Sequence, residues 1–144
     1  MNAYTEAESV AVFIDTGIFV ALHNADDQYH QRSMELMKNA LRGNLGRICT
    51  SDYIVDEAIT TALARTKKHD IAVDLGTYII ESPRIIKLTI DQDTFKIAWA
   101  KFKTLEDKGL SFTDCTSIAL TEKHGIKHIM SFDCGFDGLT QRIS

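Results

Sequence analysis

Four acidic residues lie at positions in predicted strands and helices, or next to them, where packing alone does not explain a charged side chain. Asp15 and Asp133 each follow an apolar run that reads as a strand, Asp114 opens a predicted helix, and Glu57 lies inside another one. Carboxylates that are brought together repel one another, and a hard divalent cation with oxygen ligands relieves that repulsion. The four acids therefore predict a metal-binding pocket, provided that the fold gathers them at one place.

The elements that must position these acids alternate between strand and helix. Strands are predicted at 10–14, 47–50, 85–88 and 128–132, with a short edge strand near 142–143. Helices are predicted at 16–22, 29–42, 52–65 and 67–80, followed by one that Asp91 caps and one that Ser111 or Thr113 caps. This alternation predicts an α/β fold with a central parallel sheet of four to five strands flanked by helices.

The predicted sheet explains how the acids could meet. Ligands of parallel sheets bind at the carboxyl ends of the strands, which is where Asp15 and Asp133 fall. Asp114 is placed in the first turn of a helix, where the backbone dipole favours a negative charge. Glu57 lies away from the apolar arc of its helix, so it faces either solvent or a cleft.

Helical periodicity also predicts which side chains face the core. In the helix at 29–42, His30, Met34, Met37 and Leu41 fall on one face. The helix after Asp91 has a strongly periodic apolar arc, formed by Phe95, Ala98, Trp99, Phe102 and Leu105.

Composition bounds the class of protein. The chain has 144 residues, of which 44% are hydrophobic and 25% charged, as in an ordinary globular domain. We interpret residues 10–144 as one domain after a short extension at 1–9, which carries Glu6 and Glu8 and has no secretory signal pattern. No apolar run approaches the roughly 18 residues that a membrane span needs.

Cysteine usage and charge narrow the location and the partners. Three cysteines with no CxxC spacing argue against a disulfide framework or a zinc site, and they favour a reducing, cytoplasmic location. The net charge of −4 gives no global attraction to nucleic acid, so an RNA partner would need a local basic surface or a metal ion. Two basic clusters are candidates for such a surface, but we interpret them as solvated helix faces: Arg65, Lys67, Lys68 and His69, and Lys101, Lys103 and Lys108.

Four segments in order resemble the PIN-domain ribonucleases, above all the VapC-type toxins of prokaryotic toxin–antitoxin pairs. They are 12–22, 50–57, 110–120 and 129–136, and they carry the four acids in turn. The resemblance implies a three-layer α/β domain, an acidic pocket that binds Mg²⁺ or Mn²⁺, and hydrolysis of RNA phosphodiester bonds. It also implies a small antitoxin partner, whose basic side chain enters the acidic cleft, and a homodimer.

The resemblance assigns a role to each matching residue. Asp15, Glu57, Asp114 and Asp133 are the catalytic and metal-pocket acids, with Asp15 and Asp114 as the main ligands. Glu57 and Asp133 would then hold water on the ion or bind a second ion. Four residues are expected to support the acids, by orienting an acid or a water or by substituting for Asp133: Thr16, Ser111, Ser131 and Asp137. The sequence departs from the family in its longer extension and in Cys115 and Cys134 beside two acids, and neither change removes a carboxylate.

Three alternatives were weighed against the nuclease. A phosphatase of the haloacid dehalogenase type needs a second aspartate where Gly17 stands, and a two-component receiver needs paired acids after the first strand. The histidines show no metal-ligand spacing, because Gly125 breaks the helix that would align His124 with His128. A PIN-like module that binds RNA or protein without catalysis remains the second interpretation.

Overall fold

The computed structural model describes residues 10–144, so the predicted extension at 1–9 lies outside it. Its five strands are β1 (Ala11–Ile14), β2 (Arg47–Ser51), β3 (Ile85–Leu88), β4 (His128–Met130) and β5 (Gln141–Ile143). All pairings are parallel, and the strand order is β3-β2-β1-β4-β5. The wholly buried β1 pairs with β2 on one side and β4 on the other. The chain therefore reverses its direction of travel across the sheet at β1, and the carboxyl ends of β1 and β4 flank the switch point where such sheets bind ligands.

Six α-helices cover this sheet in the described part of the chain. They are α1 (Thr16–Leu22), α2 (His30–Leu41), α3 (Asp52–Thr66), α4 (His69–Ile80), α5 (Gln92–Thr104) and α6 (Phe112–His124). Short 3-10 helices span Glu106–Lys108 and Cys134–Phe136. Helix α1 packs against α2 and α3, α3 packs against α4, and α5 packs against α6. The predicted three-layer α/β class with a parallel sheet is confirmed.

Side-chain caps set the helix boundaries that matter for the site. Ser51 accepts a hydrogen bond from Ile54 N at 3.1 Å and begins α3, and Asp91 accepts one from Thr94 N at 2.8 Å and begins α5. Gly125 ends α6 with a left-handed φ of 65°, a conformation that glycine adopts without a steric penalty. These local signals agree with the boundaries predicted from sequence.

Two helices bury a different face from the one that periodicity predicts. In α2 the buried side chains are Ser33, Leu36, Met37 and Ala40. Met34 is 45% exposed, because the face it occupies borders a surface groove rather than the sheet. In α5 only Thr94 and Ala98 are buried, so Phe95, Trp99 and Phe102 form an exposed set that we name the α5 aromatic face.

Within 10–144, no helix is both long enough and apolar enough to cross a membrane.

Candidate active site

A cleft of about 470 Å³ opens near the carboxyl ends of β1 and β4, and we name it the acidic cleft. It contains all four predicted acids. Its lining consists of Asp15, Thr16, Gly17, Val20, Asp27, Tyr29, Glu57, Thr61, Arg65, Ser111, Asp114, Phe132 and Asp133. Residues from five separate parts of the chain thus meet at the sheet edge, as the parallel topology predicts.

Asp15 is the most deeply placed acid of the cleft. It follows β1 directly, and its backbone N–H donates to Met130 O at 3.0 Å, which ties it to the end of β4. Its side chain is 6% exposed. Ser131 Oγ donates to Asp15 Oδ2 at 2.6 Å, whereas the buried Oδ1 has no hydrogen-bond partner. An ionised carboxylate with one unsatisfied buried oxygen is unfavourable unless a positive charge compensates it.

The surroundings of Asp15 shift its ionisation strongly. The pKa of Asp15 is raised from its usual value of 3.8 to about 7, mainly because the carboxyl is buried and in smaller part because of the charges of Asp114 and Glu57. Hydrogen bonds from Ser131 and from the backbone of Thr16 act in the opposite direction. The carboxylate is therefore poised near neutral pH, a state that often marks functional groups.

Asp114 is held in place by the start of α6. Ser111 N donates to Asp114 Oδ2 at 2.9 Å, and Asp114 N donates to Ser111 Oγ at 3.1 Å, which forms a reciprocal capping box. Burial raises the pKa of Asp114, as do the nearby charges of Asp133 and Glu57, while the bonds from Ser111 lower it. Because the capping box uses Oδ2 of Asp114, the other carboxylate oxygen of this residue is left for a further partner.

Glu57 and Asp133 complete the set at more solvated positions. Glu57 is half-buried on α3, and Thr16 Oγ1 donates to its Oε1 at 2.5 Å. Asp133 is exposed, and its Oδ1 accepts from Gly135 N at 2.8 Å. Ser131 Oγ, which donates to Asp15, also accepts from Asp133 N at 3.0 Å. Ser131 therefore couples the positions of two acids, and Glu57 faces the cleft rather than open solvent.

Asp137 does not belong to this cleft. Arg142 donates two hydrogen bonds to its carboxylate, from Nε to Oδ1 at 2.7 Å and from Nη2 to Oδ2 at 3.1 Å. This contact lowers the pKa of Asp137, and the same guanidinium donates to Ser131 O at 3.3 Å. The sequence suggests that Asp137 could take the role of Asp133 as a site acid. The geometry does not support this role, because Asp137 lies outside the cleft lining and binds Arg142, which in turn binds the end of β4.

The cleft lining also includes residues that are not among the site residues predicted from sequence, among them Asp27, Tyr29, Arg65 and Phe132. Arg65 was noted only as part of a surface cluster, and Asp27 and Tyr29 lie near the start of α2 with no periodic pattern. Nothing local to these residues indicates that they face the acids.

The donor set fits a hard divalent cation. The cleft offers carboxylate oxygens and hydroxyls, and the unpartnered Asp15 Oδ1 has no protein donor to satisfy it. Within residues 10–144, no three Asp, Glu, His or Cys side chains are arranged to hold a metal ion by themselves. Carboxylate and hydroxyl oxygens are the donor types that suit Mg²⁺ or Mn²⁺, and Mg²⁺ keeps several waters and uses only one or two direct carboxylates.

Comparison with known proteins identifies the class. The PIN domain model matches residues 12–140, and the chain belongs to this family. It is 30% identical over 128 residues to a VapC ribonuclease of Archaeoglobus fulgidus. The aligned region covers 88% of this chain and 80% of that protein. It is 29% identical over 126 residues to the 23S rRNA-specific endonuclease VapC20 of Mycobacterium tuberculosis, covering 87% of this chain and 91% of that one.

Solved structures agree with the family assignment. The crystal structure of M. tuberculosis VapC20, described as a sarcin–ricin loop cleaving toxin, gives a TM-score of 0.77 at 27% identity, covering 87% of this chain and 92% of the other. VapBC2 of Rickettsia felis, bound to a DNA fragment from its promoter, gives 0.64 at 14% identity, covering 92% and 97%. The second likeness concerns the fold alone.

Proposed function

We propose that this chain is a divalent-metal-dependent ribonuclease and the toxin of a VapBC-type pair. The observation that carries the proposal is Asp15, a buried carboxylate with one unpartnered oxygen beside three further acids. A protein that keeps such a cluster gains stability from a bound cation. The ribonuclease and endonuclease relatives support RNA as the substrate.

The residues divide into ligands and residues that orient them. Asp15 and Asp114 are the buried acids and would hold the ion directly, whereas the more solvated Glu57 and Asp133 would reach it through water. A divalent ion bound there supplies Lewis-acid activation of a water and stabilises charge on the phosphate that is attacked. Ser131 orients Asp15, and Thr16 orients Glu57.

The test is cleavage of RNA by the purified protein. A structured RNA pool, together with a 23S rRNA sarcin–ricin hairpin, is incubated with Mn²⁺, with Mg²⁺ or with EDTA. Cutting that needs the metal supports the proposal and leaves only the target sequence to be found. Absence of cutting in every metal, with no Mn²⁺ effect on unfolding, would contradict it and favour a binding module.

We predict that Asp114→Asn lowers cleavage at least about 100-fold, because it removes a charged metal ligand, and loss of even an indirect supporting contact costs about 10- to 100-fold. The amide oxygen can still accept from Ser111 N, so the cap and the fold should survive. Single-turnover cleavage and circular dichroism measure the two effects.

The matched control is Asp137→Asn, the same substitution at an acid outside the cleft. It should cut RNA at nearly the wild-type rate. Equal losses in both variants would show that the assignment of the cleft is wrong.

Partners and location follow as proposals from the family. We propose an antitoxin whose basic side chain enters the acidic cleft, a homodimer and a cytoplasmic location, the last supported by three free cysteines. Met34 and Trp99 are exposed and could contribute to a dimer interface, whereas Met37 is 2% exposed and belongs to the core. Light scattering should give twice the 16.1 kDa chain mass, and a single chain mass at high concentration would contradict the dimer.

A further inference from the structure

An aromatic stack forms part of the wall of the acidic cleft. The rings of Tyr29 and Phe132 lie 4.3 Å apart between centroids with an interplanar angle of 15°. Both residues line the cleft, and Tyr29 is 43% exposed. Phe132 packs on one face of the tyrosine ring, and the exposure of Tyr29 leaves part of the residue accessible from the cleft and from solvent.

Hydrogen bonds anchor the backbone of Tyr29 on both sides of its side chain. Tyr29 N donates to Asp27 Oδ1 at 2.8 Å, and Tyr29 O accepts from Ser33 N at 2.8 Å and Ser33 Oγ at 2.9 Å. Phe132 stands between Ser131, which binds Asp15, and Asp133. Because the backbone is anchored and the ring of Phe132 packs on the tyrosine ring, less conformational freedom is lost when a ligand covers that ring.

A positively charged side chain also lines the acidic cleft. Among the described residues that line it, Arg65 is the only Lys or Arg. Its Nη1 is 4.0 Å from Asp27 Oδ2, and its side chain is 60% exposed, so this loose contact leaves the guanidinium free to bind an incoming anion. Asp27 therefore contacts both the backbone of Tyr29 and the side chain of Arg65.

An exposed aromatic face together with an arginine is the combination with which proteins hold unpaired RNA. Bases stack on the ring, and the guanidinium binds a phosphate through its planar array of donors. A paired base has both faces covered by its neighbours, so it cannot use such a platform. Tyr29 is backed by Phe132 and lies in the cleft that holds the proposed catalytic acids, which places the stacked base near the bond that is cut.

We propose that Tyr29, supported by Phe132, is the stacking platform for an unpaired nucleobase next to the scissile phosphate, and that Arg65 holds a neighbouring phosphate. The inference rests on the proposed ribonuclease function and adds to it the residues that hold the base and the phosphate beside the bond that is cut.

Binding to RNA tests the platform separately from catalysis. All variants carry Asp15→Asn, which prevents cutting, and fluorescence anisotropy measures binding of a labelled stem-loop and of a fully paired duplex with the same stem. Adding Tyr29→Ala should weaken stem-loop binding about 5- to 150-fold, the range found when an aromatic that stacks on a base is truncated. Duplex binding should stay unchanged.

Conservative variants separate stacking from other effects of the substitution. Tyr29→Phe keeps the ring and should bind the stem-loop like the background protein, whereas Tyr29→Leu keeps apolar bulk without a ring and should bind as weakly as Tyr29→Ala. Arg65→Gln should weaken binding and reduce the slope of log affinity against log salt by about one unit. Thermal unfolding verifies that each variant is folded.

Phe95→Ala provides the control at an exposed aromatic residue outside the cleft lining. Phe95 is also 43% exposed, but it lies on the α5 aromatic face and does not line the cleft. It should bind RNA like the background protein. If Phe95→Ala weakens binding and Tyr29→Ala does not, RNA docks on the α5 aromatic face and the platform is wrong.

The remaining outcomes also decide the question. Unchanged binding in Tyr29→Ala overturns the proposal, as does equal loss in Tyr29→Phe and Tyr29→Ala, or no measurable stem-loop binding by the background protein. If binding depends on the Tyr29 ring but the wild type cuts no RNA in any metal, the platform stands and the proposed ribonuclease function fails. If the wild type cuts RNA and binding ignores Tyr29, only the platform fails.

Discussion

Asp15→Asn is expected to lose RNA cleavage by at least about a thousandfold and yet to unfold at a higher temperature than the wild type in EDTA at pH 8. The loss of activity follows because the variant removes the most buried charge from the proposed metal pocket, and losing even one preorganised charge-stabilising donor costs about 10²- to 10³-fold in other hydrolases. The gain in stability follows from the environment of the carboxylate.

The size of that gain can be estimated from the ionisation of Asp15. Raising the pKa from 3.8 to about 7 means that the folded state resists ionisation, which costs roughly 4 kcal/mol at pH 8. The asparagine oxygen can still accept from Ser131 Oγ, but the amide nitrogen would occupy the unpartnered position and lose about 1–3 kcal/mol of solvation. A net gain of about 1–3 kcal/mol remains.

Two measurements check the variant. Single-turnover cleavage in Mn²⁺ gives the loss of activity, and denaturant unfolding in EDTA gives the stability. Asp137→Asn, whose carboxylate is exposed and outside the cleft, is the control that should show neither effect. Wild-type cleavage by Asp15→Asn would refute the pocket, and lower stability with an intact fold would refute the account of its electrostatics.

Stability without metal should fall as pH rises, and Mn²⁺ should restore it. An acid whose pKa is higher in the folded state binds more protons there, so the free energy of unfolding decreases with pH across the window between the two values. For Asp15 this window runs from 3.8 to about 7, and the raised pKa of Asp114 acts in the same direction. Denaturant unfolding in EDTA at pH 5, 6, 7 and 8 would measure the decline.

The restoring effect of Mn²⁺ should appear above the window. At pH 8 and about 100 times its dissociation constant, an ion that binds only the folded state adds about 2.7 kcal/mol, which raises the melting temperature by on the order of 10 °C. The shift should shrink toward pH 5, because protons compete for the same carboxylates. Asp15→Asn should lose most of the shift, and an equal shift in that variant would place the ion elsewhere.

The agreement between predicted and observed elements has a local cause. Strand β3 and helix α1 have the predicted limits, and the other elements differ at their ends by a few residues. Buried strands are marked by continuous apolar runs, and helix ends by caps such as Ser51, Asp91 and Gly125, all of which act within a few residues. The family resemblance then identified the four acids, and the structure brings them to one cleft.

Which faces are buried is not a local property. Met34 and Leu36 are both good core residues, and the sequence alone does not say that Leu36 meets the sheet while Met34 borders a groove. The aromatic residues of α5 have the periodicity of a core stripe, but Ala98 occupies the buried position. A periodic pattern shows that a helix has an apolar side, while the packing of its neighbours decides how much of that side is covered.

The sequence by itself determined the α/β class, the parallel sheet and the two acids, Asp15 and Asp133, at the carboxyl ends of strands, while it left the direction of Glu57 open. Only the tertiary structure decided how the four acids differ in burial and in hydrogen-bond partners. Ser131 bonds to Asp15 from 116 positions away and Thr16 to Glu57 from 41, contacts that exist only after the chain has crossed the sheet. The same tertiary packing buries Asp15, brings Arg142 within hydrogen-bond distance of Asp137, and stacks Tyr29 on Phe132. Local patterns specify elements because their forces act over a few residues, whereas burial and charge coupling depend on how distant segments meet.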